Sequence, residues 1–130
     1  MTTLQQWLGD KIIALSTIPV TVDANKVSPD ADYPVVVFRR ITGRTKRGTT
    51  ANGATRIQID RYQFDVWDTN YENVVSVVSD IEAGMDAIRE VTADFTVIDA
   101  QMDSAFDRWD SSLMAHGASV DISFEVEYTP

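Results

Sequence analysis

The closing run of the sequence, SVDISFEVEY (residues 119–128), alternates strictly between apolar and polar side chains. Its apolar positions are Val120, Ile122, Phe124, Val126 and Tyr128. A period of two residues places all five on one face of a β-strand. The run therefore predicts a half-buried antiparallel strand with an acidic outer face, in a sheet covered on one side.

Two amphipathic segments can supply that cover. The opening TTLQQWLGDKIIALSTI predicts a helix that ends before Pro19, with Thr2 and Gln5 at capping-box spacing. Its apolar stripe is Leu4, Leu8, Ile12 and Leu15. Thr69 to Glu72 forms a second capping box, and the helix that follows carries the stripe Tyr71, Val74, Val75, Val78, Ile81, Met85 and Ile88. Gly84 within this helix indicates the close approach of another backbone.

Three further segments have strand character: residues 33–42, 54–68 and 95–102. We expect a surface loop over residues 19–34, which are rich in proline and short polar side chains. Residues 103–112 are polar, with Phe106 and Trp109 as isolated apolar anchors. The predicted order is α-β-β-α-β-β, an α+β fold with two helices on one face of an antiparallel sheet of about four strands.

The segment ATRIQIDRYQFDVWD (residues 54–68) changes its apolar face part-way along. Tyr62, Phe64 and Val66 share one face, whereas Ile57 and Ile59 point to the other. Either a bulge rotates the strand, or the isoleucines are buried against something outside the chain's own core.

Asn52-Gly53 is a hairpin turn signal between the strand segments 33–42 and 54–68. An exact two-residue turn would place Phe38 and Phe64 on different faces, so the hairpin predicts a bulge or a mobile tip.

Charge is distributed very unevenly along a chain whose formal net charge is -9. Residues 39–61 hold seven of its eleven lysines and arginines, and residues 62–130 hold fifteen acids and only two bases. A molecule with a basic end and an acidic end can bind copies of itself head to tail. A solvated basic loop beside a solvated acidic face is the alternative that the sequence leaves open.

Residues with catalytic or metal-binding chemistry are scarce. The chain has no cysteine, and its one histidine, His116, has no histidine partner and is expected in a turn or at a strand edge. Asp103, Asp107 and Asp110 do not have calcium-loop spacing, and we expect them on a helix face or in a polar loop. The sequence therefore predicts no enzyme, no cofactor and no metal.

The basic stretch GRTKRGTTANG (residues 43–53) is not a phosphate loop, because a strand follows it instead of a helix. Its lysine and arginine side chains could neutralise nucleic-acid phosphates. The acidic chain repels DNA, however, and residues 39–61 contain no aromatic ring for base stacking. Docking on an acidic protein surface is the favoured interpretation.

No apolar run is long enough to span a bilayer, and the N-terminus lacks a secretory signal pattern. The sequence predicts one domain over residues 1–130, with residues 43–55 as a projecting hairpin arm. We expect a soluble protein that is made or assembled in the cytoplasm, without a membrane partner.

Residues 33–88 resemble the tail terminator, or tail completion, proteins of long-tailed bacteriophages. The motifs are Tyr33-Pro34 before a strand, an Ile41-Thr42-Gly43 turn, the strand RYQFDVW (residues 61–67) and Tyr71 at a helix start. The closing strand is also similar, so that the resemblance covers nearly the whole chain. Ser28 departs from the family pattern, which has an aromatic residue at that position. These motifs are structural.

The resemblance implies a virion protein at the tail–neck junction. It would form a ring, most simply a hexamer, that caps the head-proximal end of the tail tube, ends tube polymerisation and binds the neck, or head completion, protein. DNA would pass close by in the lumen. A neck or head–tail joining protein on the head side is the nearest alternative. The expected contact residues are Arg39, Arg40, Arg44, Lys46, Arg47, Arg56, Ile57 and Ile59.

Overall fold

A computed structural model describes residues 3–24, 33–47, 56–86, 88–110 and 114–128. The elements follow in the order α1 (Leu4–Leu15), β1 (Thr21–Ala24), β2 (Val35–Arg47), β3 (Arg56–Asp68), α2 (Tyr71–Met85), β4 (Glu90–Val91), β5 (Phe95–Asp110) and β6 (Ala115–Tyr128). The strands form one sheet in the order β1-β2-β3-β6-β5-β4. Only the β1–β2 pair is parallel among these described strands.

The α+β class and the four main strands agree with the sequence prediction, but the expected strand number was too low. Two short edge strands, β1 and β4, complete a sheet of six. β1 lies in the predicted 19–34 loop. At four and two residues, these strands are too short to carry a periodic pattern, and pairing with a neighbour creates them.

The expectation of a helix face or a polar loop around Asp103, Asp107 and Asp110 was also wrong, because β5 continues to Asp110. Asp103, Asp107 and Asp110 therefore lie on a strand, and His116 lies within β6. β5 pairs with β6 along this stretch, ending with Asp110 opposite Ala115. Backbone pairing with a strongly apolar neighbour outweighs the polar composition of the segment itself.

The N-cap of each helix lies one residue later than predicted, at Thr3 and at Asn70. The Thr3 hydroxyl accepts a hydrogen bond from the Gln6 amide at 3.1 Å, and Gln6 Oε1 accepts one from the Thr3 amide at 3.0 Å. The Asn70 side chain caps α2 by accepting from the Glu72 amide at 3.0 Å. Thr2 and Thr3 are each followed three residues later by glutamine, so the sequence pattern does not distinguish them.

Both helices bury an apolar stripe against the same face of the sheet. The buried positions are Leu4, Trp7, Leu8 and Ile12 in α1, and Val74, Val77, Ile81 and Met85 in α2. Beneath them, the Phe38 and Phe64 rings stack at 6.0 Å between centroids. The α2 stripe differs from the prediction, because Val77 is buried whereas Tyr71 and Val75 are exposed.

Gly84 lies where the two helices meet. A Cβ at this position would approach Leu15 Cδ1 to 2.6 Å and Leu15 Cγ to 2.9 Å. The close neighbour is thus a side chain of α1 and not the backbone that the sequence suggested. Gly84 is the penultimate residue of α2. Glycine within a helix costs up to about 1 kcal/mol relative to alanine, and here it makes room for Leu15.

The predicted bulge in the β2–β3 hairpin is present. The register shifts between Arg40 and Thr42, so Ile41 is the extra residue. Before the shift, Phe38 pairs with Phe64, and both reach the helix-covered face. The turn residues Asn52 and Gly53 lie outside the described residues.

Candidate interaction surface

Strand β3 pairs with β2 on one side and β6 on the other along its whole length. Its register with β6 runs without a shift from Arg56–Tyr128 to Asp68–His116. Ile57 and Ile59 therefore lie on the face opposite Tyr62, away from the helices, and both are half-buried. The change of apolar face in the sequence reflects a strand with apolar residues on both faces.

Around these isoleucines the register places opposite charges on the two neighbouring strands. On β2, Arg44 pairs with Ile59 and Lys46 pairs with Ile57. On β6, Glu125 and Glu127 are the corresponding partners. Across this outer half of the sheet face, basic positions on β2 are followed by the isoleucines of β3 and then by acidic positions on β6. This pattern suits a charged and partly apolar partner.

The remaining predicted contact residues lie along the same hairpin. Arg39 is exposed and donates from Nη2 to Gln63 Oε1 at 3.1 Å, and Arg40 is exposed opposite Tyr62. Arg47 and Arg56 are direct register partners. Like charges at paired positions destabilise an isolated hairpin, so an anionic partner would relieve the repulsion. The side chains of Arg44, Lys46, Arg47 and Arg56 lie outside the described part of the chain.

The outer half of β2 also forms an edge of the sheet. β1 pairs with β2 only as far as Phe38, so the described backbone from Arg39 to Arg47 pairs with β3 alone. Basic side chains along an open edge oppose edge-to-edge aggregation. This structural role is compatible with binding, because the same charges favour an acidic partner over another basic edge.

Arg61 belongs to the basic region of the sequence but is held within the chain. Its Nη2 contacts Asp121 Oδ2 at 2.7 Å, and its Nε lies 3.7 Å from Asp103 Oδ2. The Ser123 hydroxyl donates to the same Asp103 oxygen at 2.5 Å. Asp121 is buried, and burying a carboxylate is costly unless a positive charge or hydrogen bonds offset the cost. Arg61 supplies that positive charge.

A shallow acidic pocket of about 210 Å³ lies beside this network on the same face. It is lined by Ile59, Asp99, Gln101, Ser123 and Glu125. Within the described ranges, no three His, Asp or Glu residues are grouped closely enough to hold a metal ion. The pocket brings Ile59 together with carboxylates, which no motif in the sequence indicated.

A second concavity, of about 340 Å³, lies between α2 and β5 on the helix-covered side. Its lining residues are Tyr71, Val74, Val75, Val78, Ser79, Glu82, Ala105, Asp107 and Ala118. We call it the α2–β5 groove. The groove was not predicted, because the apolar stripe of α2 was assigned wholly to the core. The unusual width of that stripe was the available signal.

His116 lies in an aromatic group at this end of the sheet. Its ring is 4.8 Å from that of Trp109 and 5.6 Å from that of Tyr71, between centroids. The Tyr71 hydroxyl donates to Asp107 Oδ2 at 2.7 Å, and this hydrogen bond raises the pKa of Tyr71. His116 thus packs against two aromatic rings.

No helix in the described part of the chain has the length and apolarity to cross a membrane.

The fold defines this chain as an α+β sandwich, with two helices on a mostly antiparallel sheet. Comparison with solved structures finds the same fold in a chain described as "Virion of native gene transfer agent (GTA) particle", at a TM-score of 0.65 and 13% sequence identity. The alignment covers 89% of this chain and 84% of that one. Neither a known protein family nor a curated protein matches the sequence.

Proposed function

We propose that this protein is a structural component of a phage-like virion, and specifically a tail terminator. In this role it forms a ring, most simply a hexamer, on the head-proximal end of the tail tube. The ring ends tube polymerisation and joins the tail to the neck protein. No catalytic step is part of the proposal.

The observation that carries the proposal is the fold shared, over most of both chains, with a protein of a gene transfer agent particle. Fold alone does not determine function, so the position within the particle rests on further support. That support is the motif resemblance along residues 33–88 and the separation of basic and acidic residues along the chain. Ring closure requires two different complementary surfaces on each subunit, and we propose the basic and acidic regions of this chain for that role.

The proposed subunit or partner surface is the outer half of the β2–β3 hairpin. Ile57 and Ile59 give it an apolar centre, and β2 gives it a basic border. An apolar centre with a charged rim is the usual anatomy of a protein interface. The hairpin is proposed to contact a neighbouring subunit, the tube or the neck.

The test is to measure tube length and protein location together. The tube protein encoded with this chain is assembled in vitro with and without it, and lengths are measured by electron microscopy. Light scattering after size exclusion gives the mass of the protein alone and with tubes. We expect tubes of limited length, each carrying a multimer of this protein at one end.

Tubes that grow equally long with and without the protein, and carry none of it, would refute the terminator role. Labelling on the head side of the junction would instead identify a head–tail joining protein. Salt-sensitive retention by DNA, lost when Arg44, Lys46 and Arg47 become alanine, together with indifference to tubes, would identify a nucleic-acid-binding module.

A further inference from the structure

Helix α2 carries more apolar surface than its own core uses. Val74 and Val77 are buried, but Val75 is 46% exposed and Tyr71 is 42% exposed. These two side chains, with the partly buried Val78, form one wall of the α2–β5 groove. An exposed apolar wall that faces a groove is typical of a docking surface.

Among the described residues that line the groove, the charged ones are all acidic. Glu82 lies on the α2 side and Asp107 on the β5 side, and the lining side chains that the structure describes include no lysine or arginine. Tyr71 already donates to one oxygen of Asp107. An apolar groove that also carries carboxylates is complementary to an arginine or lysine side chain. The aliphatic stem packs against the apolar wall, and the cationic end pairs with a carboxylate.

The basic residues on the outer half of the β2–β3 hairpin lie at the opposite end of the sheet. Ala118, in the groove, pairs with Val66 of β3, whereas Arg56 pairs with Tyr128. Ten residues of β3 separate Val66 from Arg56, which is roughly 33 Å along an extended strand. A chain therefore cannot place the paired part of its own hairpin in its own groove, and a matching basic hairpin has to come from another molecule.

We propose that the α2–β5 groove receives the basic outer half of the β2–β3 hairpin of a second copy of this chain. This inference rests on the proposed function in one respect, the use of the hairpin as an interface. It adds the acceptor site for that hairpin. Since donor and acceptor are different surfaces at opposite ends of the sheet, the contact is heterologous and continues from subunit to subunit.

Disulfide trapping tests the contact directly, because the chain has no native cysteine. Val75→Cys marks the groove, and Ile41→Cys marks the hairpin, where Ile41 is exposed at the bulge. Val91→Cys, on the exposed β4 edge, is the control. Under mild oxidation, the mixture of the first two variants should give a mixed dimer at least about tenfold faster than Ile41→Cys with the control, by local concentration.

Charge reversal provides an independent readout on the full-length protein. Glu82→Arg should weaken self-association by at least about tenfold at low salt, because it places a cation where the hairpin docks. Asp10→Arg makes the same charge change on the exposed surface of α1 and should leave association unchanged. Equal cross-linking of the Val75 and Val91 variants, or equal effects of the two reversals, would overturn the inference.

These results separate the inference from the proposed function. If the Val75→Cys and Glu82→Arg variants behave like their controls while the protein still caps tubes, the groove assignment is wrong and the terminator role stands. If the mixed dimer forms but the protein ignores tubes, the groove contact is real and the virion role is wrong. Absence of any mixed dimer, alone or on tubes, counts against the groove.

Discussion

The indole ring of Trp67 in β3 lies directly over Gly117 of β6, its register partner. A Cβ on Gly117 would approach Trp67 Cε3 to 2.5 Å and Cη2 to 2.9 Å. The ring is buried on the sheet face away from the helices, where Val35 and Val37 are also buried. Glycine leaves the strand without a side chain, and an aromatic ring from the paired strand fills the space.

Gly117→Ala should therefore destabilise the fold by about 1–3 kcal/mol, because Trp67 has to move from a packed position. Gly9→Ala is the matched control. At Gly9 in α1 the added Cβ would lie 3.9 Å from Phe38 and Val22, an ordinary contact. Alanine should stabilise this helix by about 0.5–1 kcal/mol. Urea unfolding monitored by fluorescence measures both changes; the same sign for both would contradict the packing assigned to Trp67.

Gly84→Ala should have opposite effects in two backgrounds. In the natural sequence it displaces Leu15, and this steric cost of about 1–3 kcal/mol exceeds the helix-propensity gain of about 1 kcal/mol. In a Leu15→Ala background only the gain remains. A double-mutant cycle in urea measures the coupling between the two positions. Additive effects would show that Leu15 does not determine the choice of glycine.

Replacing Arg61 by methionine should cost about 1–3 kcal/mol, since buried Asp121 loses its 2.7 Å charged partner. Lys11→Met is the control, because the side chain of Glu90, which contacts Lys11 at 2.8 Å, is 34% exposed, whereas that of Asp121 is 11% exposed. An exposed pair contributes about 0–1 kcal/mol. Urea midpoints at pH 7, with equal slopes, give the comparison. A larger loss for Lys11→Met would contradict it.

Tyr62 should make the protein sensitive to alkali. Burial, reinforced by the negative charge of Asp60, raises the pKa of Tyr62 from 10.0 to about 12. Between these values the unfolded chain loses the phenolic proton and the folded chain keeps it, so stability falls as pH rises. The slope from this one group reaches about 1.4 kcal/mol per pH unit.

Tyr62→Phe removes that contribution. Unfolding free energies measured in urea from pH 8 to pH 11.5 should decline less steeply for the variant than for the natural protein. A general loss of packing would lower the curve by a constant amount without changing its slope. Parallel curves would therefore show that Tyr62 titrates normally in the fold.

Local patterns predicted those elements whose residues pack against one continuous core. Strict alternation in residues 119–128 and the stripe of α1 are examples, because one face of each is buried along its length. An irregular hairpin register, through a bulge or a mobile tip, was also predictable, since Phe38 and Phe64 could not otherwise share a face; the structure has the bulge at Ile41. Local patterns did not predict β1, β4 or the end of β5, because the pairing of these segments depends on neighbouring strands.

The basic half of the candidate surface could be read from the sequence, because seven bases cluster within 39–61. The α2–β5 groove could not. Tyr71 and Val75 have helical spacing that is equally consistent with burial, and only the position of β5 beside α2 leaves them exposed. Apolar periodicity identifies which residues can be buried, and the arrangement of the elements decides which of them are.

The two-sided pairing of β3 has a mechanical consequence. All thirteen residues of β3 are in register with β6, and its partner β2 runs antiparallel on the other side. A pull on the hairpin along the strand axis loads these ladders in shear, so many hydrogen bonds resist together instead of opening one by one. The strand that carries Ile57 and Ile59 is thus mechanically stiff along its axis, and it can transmit tension from a bound neighbour into the centre of the sheet.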